Sequence, residues 1–251
     1  MLGPERLIRH LGAKGYHPRS DAHSNAVCLG ILDDLLAHCP AIASKARRGE
    51  LVAILNHTVT VNYQRWNIDL ALGPPPGLPT PPVTDAVSIA VPAVIQIAIE
   101  VKGVMTEHGK ARHNRLRDLQ AFHSHAHLYD QNVVAAAVVV VNISPIFWSP
   151  TRGELDVTQH RSMERLGKET VDLYRNLPLR NNPEEGPGLE AASVLVVKHD
   201  NLSINPILES LTYTPGTSEL VQSAPSPPEG DPLNYSTMIH RICRSFERRW
   251  G

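Results

Sequence analysis

Three charged residues stand in otherwise apolar, strand-like runs of this sequence. Asp69 lies in Asn67-Ile68-Asp69-Leu70, and Glu100 and Lys102 lie in Ile97-Ala98-Ile99-Glu100-Val101-Lys102. In an extended strand, residues two apart project to the same face. Glu100 and Lys102 should therefore point together, with Asp69 beside them if the two strands are neighbours. Charges in such surroundings are costly unless they pair or hold a metal. Two carboxylates suit Mg2+, a hard ion that prefers oxygen ligands and keeps several waters. The set therefore predicts Mg2+ as cofactor, with Mn2+ as a substitute. Such an ion lowers the pKa of a bound water and neutralises charge growing on a phosphate. Lys102 is placed to orient that water and stabilise the transition state. The chemistry these groups fit is in-line hydrolysis of a phosphodiester. Asp85 is a rival for the Asp69 role, being closer in sequence to Glu100, but it sits among turn residues rather than in a strand.

The elements that must position these groups follow from the pattern around them. Cys28, Ile31, Leu32, Leu35 and Leu36 recur at helical spacing within residues 20–39, and Pro40 ends the run. Residues 51–64 are rich in β-branched side chains and predict a strand, with a second over Trp66 to Leu72 after a tight connection. Gly73 to Val83, dense in proline, can be neither helix nor central strand and predicts a stiff, extended surface insertion. Residues 93–102 predict a strand, Glu107 to Leu128 a long helix, and Val133 to Ile143 a strand buried on both sides. Further on come an amphipathic helix over Glu154 to Arg175, a buried strand over Ala192 to Lys198, and a last helix over Tyr235 to Trp250. That last helix ends basic, with Arg241, Arg244, Arg248 and Arg249. This order predicts an α/β fold, a central mixed β-sheet flanked by helices. It is read as a single domain over 1–251, its core about 20–143 and 190–200, with loop insertions at 73–92, 181–188 and 214–232.

Composition narrows the setting. Hydrophobic residues make up 42% and charged residues 20%, as in an ordinary globular chain rather than a disordered one. The three cysteines form no close pair, which argues against a disulfide framework or a four-cysteine zinc site. The beginning of the chain lacks the apolar stretch of a signal peptide, and the run Val133 to Val141 is too short to cross a bilayer. The expectation is a cytoplasmic protein with no membrane partner. The formal net charge of −1 does not advertise nucleic-acid binding, yet phosphate contact needs only a local basic patch. Thr106 to Arg117 supplies one. Lys110, Arg112 and Arg115 are suited to holding a phosphate backbone, with His113 and Asn114 in the same turns and free N–H groups at the helix start. His123, His125 and His127 invite a zinc reading, but only His123 and His127 share a helix face, and a solvated helix end is the simpler expectation.

Asp69, a connecting segment and then Glu100-Val101-Lys102, followed by a helix and an apolar strand, resembles the core of the PD-(D/E)XK nucleases. That family includes many type II restriction endonucleases and several repair and phage-defence nucleases. The resemblance covers roughly residues 20–143. It implies a restriction endonuclease-like core in which Asp69 and Glu100 bind metal, the Val101 carbonyl is a further ligand, and Lys102 serves the water. The first helix of that family often carries a glutamate facing the site, and residues 20–39 contain none. Asn25 is the substitute on the inward side and Asp21 projects the same way, whereas Asp33 and Asp34 fall outside it. The resemblance further implies double-stranded DNA as substrate, a homodimer that cuts both strands, and a restriction or phage-defence role. The alternatives are a nuclease-fold protein that binds nucleic acid or a partner without cutting, and a hydrolase that uses the histidines with a transition metal.

Overall fold

The protein is described here by a computed structural model covering residues 1–83, 86–106, 108–205, 207 and 218–251. Its strand-forming runs assemble into one seven-stranded mixed sheet. β1 (Val52–Val61) and β2 (Gln64–Gly73) form a long antiparallel hairpin. Asn62 and Tyr63 take positive φ in the connection, the geometry that fits a two-residue turn to the right-handed twist of its strands. β3 (Ser88–Ile89) lies parallel against β1, and β4 (Ile97–Val104) runs antiparallel to β2. β5 (Val134–Asn142) is parallel to β4. β6 (Ile146–Trp148) and β7 (Val157–Gln159) make a separate ribbon. β8 (Ala191–Lys198) is parallel to β5, and β9 (Glu219–Leu220) closes the edge antiparallel to it.

Helices cover both faces. α1 (Leu2–Lys14), α2 (Ala22–His38) and α3 (Pro40–Arg47) lie on one face; α4 (His108–Tyr129) and α5 (Met163–Tyr174) lie on the other, and α6 (Tyr235–Trp250) returns to the first. Along β4 the period of two is legible in the packing: Ile97, Ile99 and Val101 join the α2 layer, while Ala98 and Val104 join the α4 layer. β5 is buried along its whole length because both of its faces are covered. Each fully buried valine there contributes about 1.5–2 kcal/mol. Among the described residues, no single helix is long and apolar enough to cross a membrane.

Several expectations change in detail. Pro40 ends α2 but at once opens α3, where a proline in the first turn costs no hydrogen bond. The helix expected over Glu154 to Arg175 is confined to Met163–Tyr174, since the residues before it form the β7 ribbon. The insertions are more ordered than their composition suggests: β3 lies within 73–92, a 3-10 turn (Pro183–Glu185) lies within 181–188, and β9 lies within 214–232. Residues 214–217 lie outside the described residues, as does Glu107 at the start of the expected long helix. Asp34 is buried, accepting from the Leu2 and Gly3 N–H groups and the Tyr235 hydroxyl, and so ties α1 and α6 to α2. The close approach of α1 to α2 requires glycine, because a Cβ on Gly30 would lie 2.3 Å from the Gly3 Cα.

The histidine-rich end of α4 is solvated on one side only, at His125. His123 and His127 are buried, because that end packs over the N-terminal ends of β5 and β8. There Glu190 accepts from Arg180 Nε at 2.6 Å, Arg249 Nη2 at 2.8 Å and the Ala135 N–H at 2.7 Å, with His127 Nε2 3.5 Å away. Arg241 donates to the Glu190 carbonyl. Two of the four basic residues of α6, Arg241 and Arg249, are thus structural.

The cysteine expectation is overturned. Cys39 and Cys243 form a disulfide across 204 residues, their Cα atoms 5.4 Å apart, and Cys28 is free and buried. Sequence spacing could not show this, because the pair meets only when α6 packs over the α2–α3 junction. Closing so long a loop stabilises the fold by about 3–5 kcal/mol in the chain-entropy account. Reduction, or the pair Cys39→Ala and Cys243→Ala, is expected to lower the urea midpoint by a corresponding amount; an unchanged midpoint would show that the bridge adds nothing.

Candidate active site

The ladder between β2 and β4 is short, running only from Leu72↔Ile97 to Leu70↔Ile99. The next step of that register faces Asp69 with Glu100, and there the strands part. A buried main-chain N–H must still be satisfied. The Val101 N–H therefore donates to Asp69 Oδ2 at 2.7 Å instead of to a neighbouring carbonyl. The other side of β2 is irregular at the same point. Pairing with β1 passes from Leu55↔Leu70 to His57↔Ile68, and Asn56 between them takes positive φ. As a result Leu70 packs in the α2 layer and Ile68 in the α4 layer, although residues two apart normally share a face. Asp69 sits at this local rotation. The strand adjacency that the sequence left open is present.

Glu100 is 6% exposed. Its Oε1 pairs with Lys102 Nζ, and its buried Oε2 has no partner among the described residues. Burial, and then the neighbouring Asp69, push the Glu100 carboxyl up to about 7, with Lys102 opposing. Burial likewise raises Asp69, against the Val101 N–H bond and Lys102, while Asp21 adds to the rise. For Lys102 burial pulls downward, but Glu100, Asp69 and Asp118 together hold the ammonium above its ordinary value.

α2 packs across β2 and β4. The charge of Asp21 acts on Asp69. The Cys28 thiol is pushed up by burial and then by Asp69 and Glu100. Asn25 lies between these two on the same helix face, and its Oδ1 is buried without a partner among the described residues. Asp21 is exposed at the helix start, so Asn25 is the residue that presents an unsatisfied oxygen.

The basic segment divides. Lys110, Asn114 and Arg115 line a cavity at the end of β4, where Arg115 also pairs with Asp118 at 2.9 Å. Arg112 turns the other way, donating to Glu169 Oε2 at 3.0 Å on α5, and His113 lies with it in that shallow groove. Those two are not brought to the site. Asp85 lies outside the described residues. Tyr16, which reaches the same cavity from the α1–α2 connection, carries no motif or spacing that singles it out in the sequence.

The donor set suits a hard cation. Asp69, Glu100 and Asn25 offer oxygens only, and two of those oxygens are buried and unpartnered. Among the described residues, the trio of His, Cys, Asp or Glu whose ligand atoms converge is Cys39, Cys243 and Glu247, and its sulfurs are joined as the disulfide. No family model, curated protein or solved structure matches this chain.

Because the folded state raises the Glu100 pKa from 4.5 to about 7, it holds that proton more tightly than the unfolded chain does. The associated stability is fully present below about pH 4.5 and is lost as pH rises through about 7, a change on the order of 1–3 kcal/mol. Urea titrations of the metal-free protein across this window should show the decline, and Glu100→Gln should flatten it. An identical slope in the variant would remove Glu100 as its source.

Proposed function

We propose that this chain is a Mg2+-dependent DNA endonuclease of the PD-(D/E)XK kind, with Asp69, Glu100 and Lys102 as its catalytic residues. The observation that carries this reading is the unpartnered, buried Glu100 oxygen, set beside Asp69 and Lys102 where β2 and β4 part. Asp69, Glu100 and the Val101 carbonyl would hold the ion, with the unpartnered Asn25 oxygen of α2 as a further ligand. When bound, the ion supplies an acidified water and neutralises charge developing on the phosphate. The Glu100 carboxyl, which burial pushes up to about 7, would be held ionised at neutral pH by a cation bound there. Lys102 then orients the attacking water and stabilises the phosphorane-like transition state with its ammonium. Lys110, Asn114 and Arg115 bind the flanking backbone, aided by the N-terminal end of α4. Cutting both strands of a duplex takes two such sites, hence a homodimer, in a restriction or phage-defence role.

A second reading, a protein of this fold that binds nucleic acid without cutting it, is favoured by one feature. Asn25 leaves the first helix without the carboxylate that would add charge at the ion.

Incubation of wild type with duplex DNA and Mg2+ separates the two. Cleavage that EDTA stops and Mn2+ supports is expected, and Lys102→Ala should slow it roughly 10²–10⁴-fold with circular dichroism unchanged. Lys102→Ala cutting as well as wild type would sink the catalytic assignment, and binding without cleavage would select the second reading.

A further inference from the structure

α6 carries Cys243 and Glu247 four residues apart, a spacing that puts both on one helix face. The helix packs against α2 and α3, and Cys39 joins those two in extended backbone. The sulfurs of Cys39 and Cys243 and a carboxylate oxygen of Glu247 all lie within 4.8 Å of one another. Cys39 is fully buried and Cys243 nearly so, whereas Glu247 is exposed. The cluster is therefore closed towards the core and open to water on its other side.

The Glu247 carboxylate is uncommitted. Arg241 and Arg249 of α6 go to Glu190, and Arg248 goes to Asn182. The Glu247 side chain makes no ion pair or hydrogen bond among the described residues. A disulfide is uncharged and a carboxylate has no proton to donate, so nothing holds Glu247 to the bridged sulfurs. Two thiolates beside that carboxylate are a different case, because three converging anionic ligands require a cation. Thiolates are soft, and the set selects zinc rather than the magnesium that suits the oxygens of Asp69 and Glu100. With Zn–S bonds of about 2.3 Å, two sulfurs on a tetrahedral ion stand about 3.8 Å apart. Cα atoms 5.4 Å apart allow that separation.

We propose that Cys39, Cys243 and Glu247 bind one Zn2+ ion once a dithiol reductant has opened the bridge, with water as the fourth ligand on the open side. The dithiol gives two electrons and two protons to the sulfurs and leaves as its own disulfide. Zn2+ then displaces both thiol protons to solvent. The ion takes over the link between α6 and the α2–α3 junction, so these elements stay tied in either redox state. The site is independent of the endonuclease reading.

The full-length protein, reduced with dithiothreitol that is then removed under argon, should bind one equivalent of Co2+. Binding should give the charge-transfer absorption of cobalt–thiolate bonds, which Zn2+ abolishes by displacement and excess Mg2+ does not. The oxidised protein should show no such band. Glu247→Gln should weaken Zn2+ roughly tenfold or more. Cys243→Ser should remove most of the band and Cys28→Ala should leave it, with thermal midpoints checking that each variant folds. Zn2+ should also raise the midpoint of the reduced protein, or restore its circular dichroism if reduction unfolds it. Reduced protein that shows neither the band nor a response to Zn2+ would overturn the site. A band that survives Cys243→Ser, or is lost in Cys28→Ala, would do the same. Zn2+ affinity unchanged in Glu247→Gln would remove the carboxylate from the ligand set.

Discussion

Where β2 leaves β4, the Val101 N–H turns from a main-chain acceptor to the Asp69 carboxylate, and the placement of every other group at the site follows from that exchange. The bond holds Asp69 beside Glu100, so two acids share one partly desolvated space. If Asp69 swung away, a buried N–H would be left unsatisfied at a cost of about 1–3 kcal/mol. The pairing is therefore fixed before any ligand arrives. Lys102, two residues past Glu100, shares its face and is, among the described residues, the cation directly in contact. The local rotation of β2 at Asp69, marked by positive φ at Asn56, gives the strands room to part without breaking the hairpin.

Much of this was legible in the sequence because it depends on local periodicity. The E-x-K spacing on β4 places two side chains on one face whatever the rest of the chain does. The run of alanines and valines in β5 could only be a strand covered on both sides. Neighbouring of β2 and β4 was an inference across the proline-rich segment, and it held because that segment returns close to where it left: the Gln96 N–H bonds the Leu72 carbonyl. What the sequence hid were meetings between distant parts. Cys39 and Cys243 come together only through α6, Tyr16 reaches the end of β4 through a turn with no motif, and Glu190 gathers its partners from α4, α6 and the Arg180 turn. Arg112 and Arg115, three residues apart in one helix, part company because α5 offers Glu169 to the first alone. Charge density in a helix says nothing about which neighbour consumes each charge.

The two buried glutamates of this molecule show how burial of charge can mean opposite things. Glu190 is fully buried. Burial alone would raise its pKa, but His127, Arg249 and Arg180 outweigh that and hold the carboxyl below its ordinary value. Its oxygens accept two guanidinium bonds and a main-chain N–H. Nothing is left to bind, and the group serves as a clamp between β5, β8 and α6. Glu100 is nearly as buried, yet it has one lysine, a neighbouring acid that repels it, and an oxygen with no partner among the described residues. A scaffold would gain from filling that vacancy with a second donor, as it does at Glu190. At Glu100 burial and the second carboxylate instead disfavour ionisation, so the carboxyl holds its proton more tightly than an ordinary glutamate. The same sheet thus contains both cases, a carboxylate held ionised by its partners and one biased towards its protonated form by burial and a neighbouring acid.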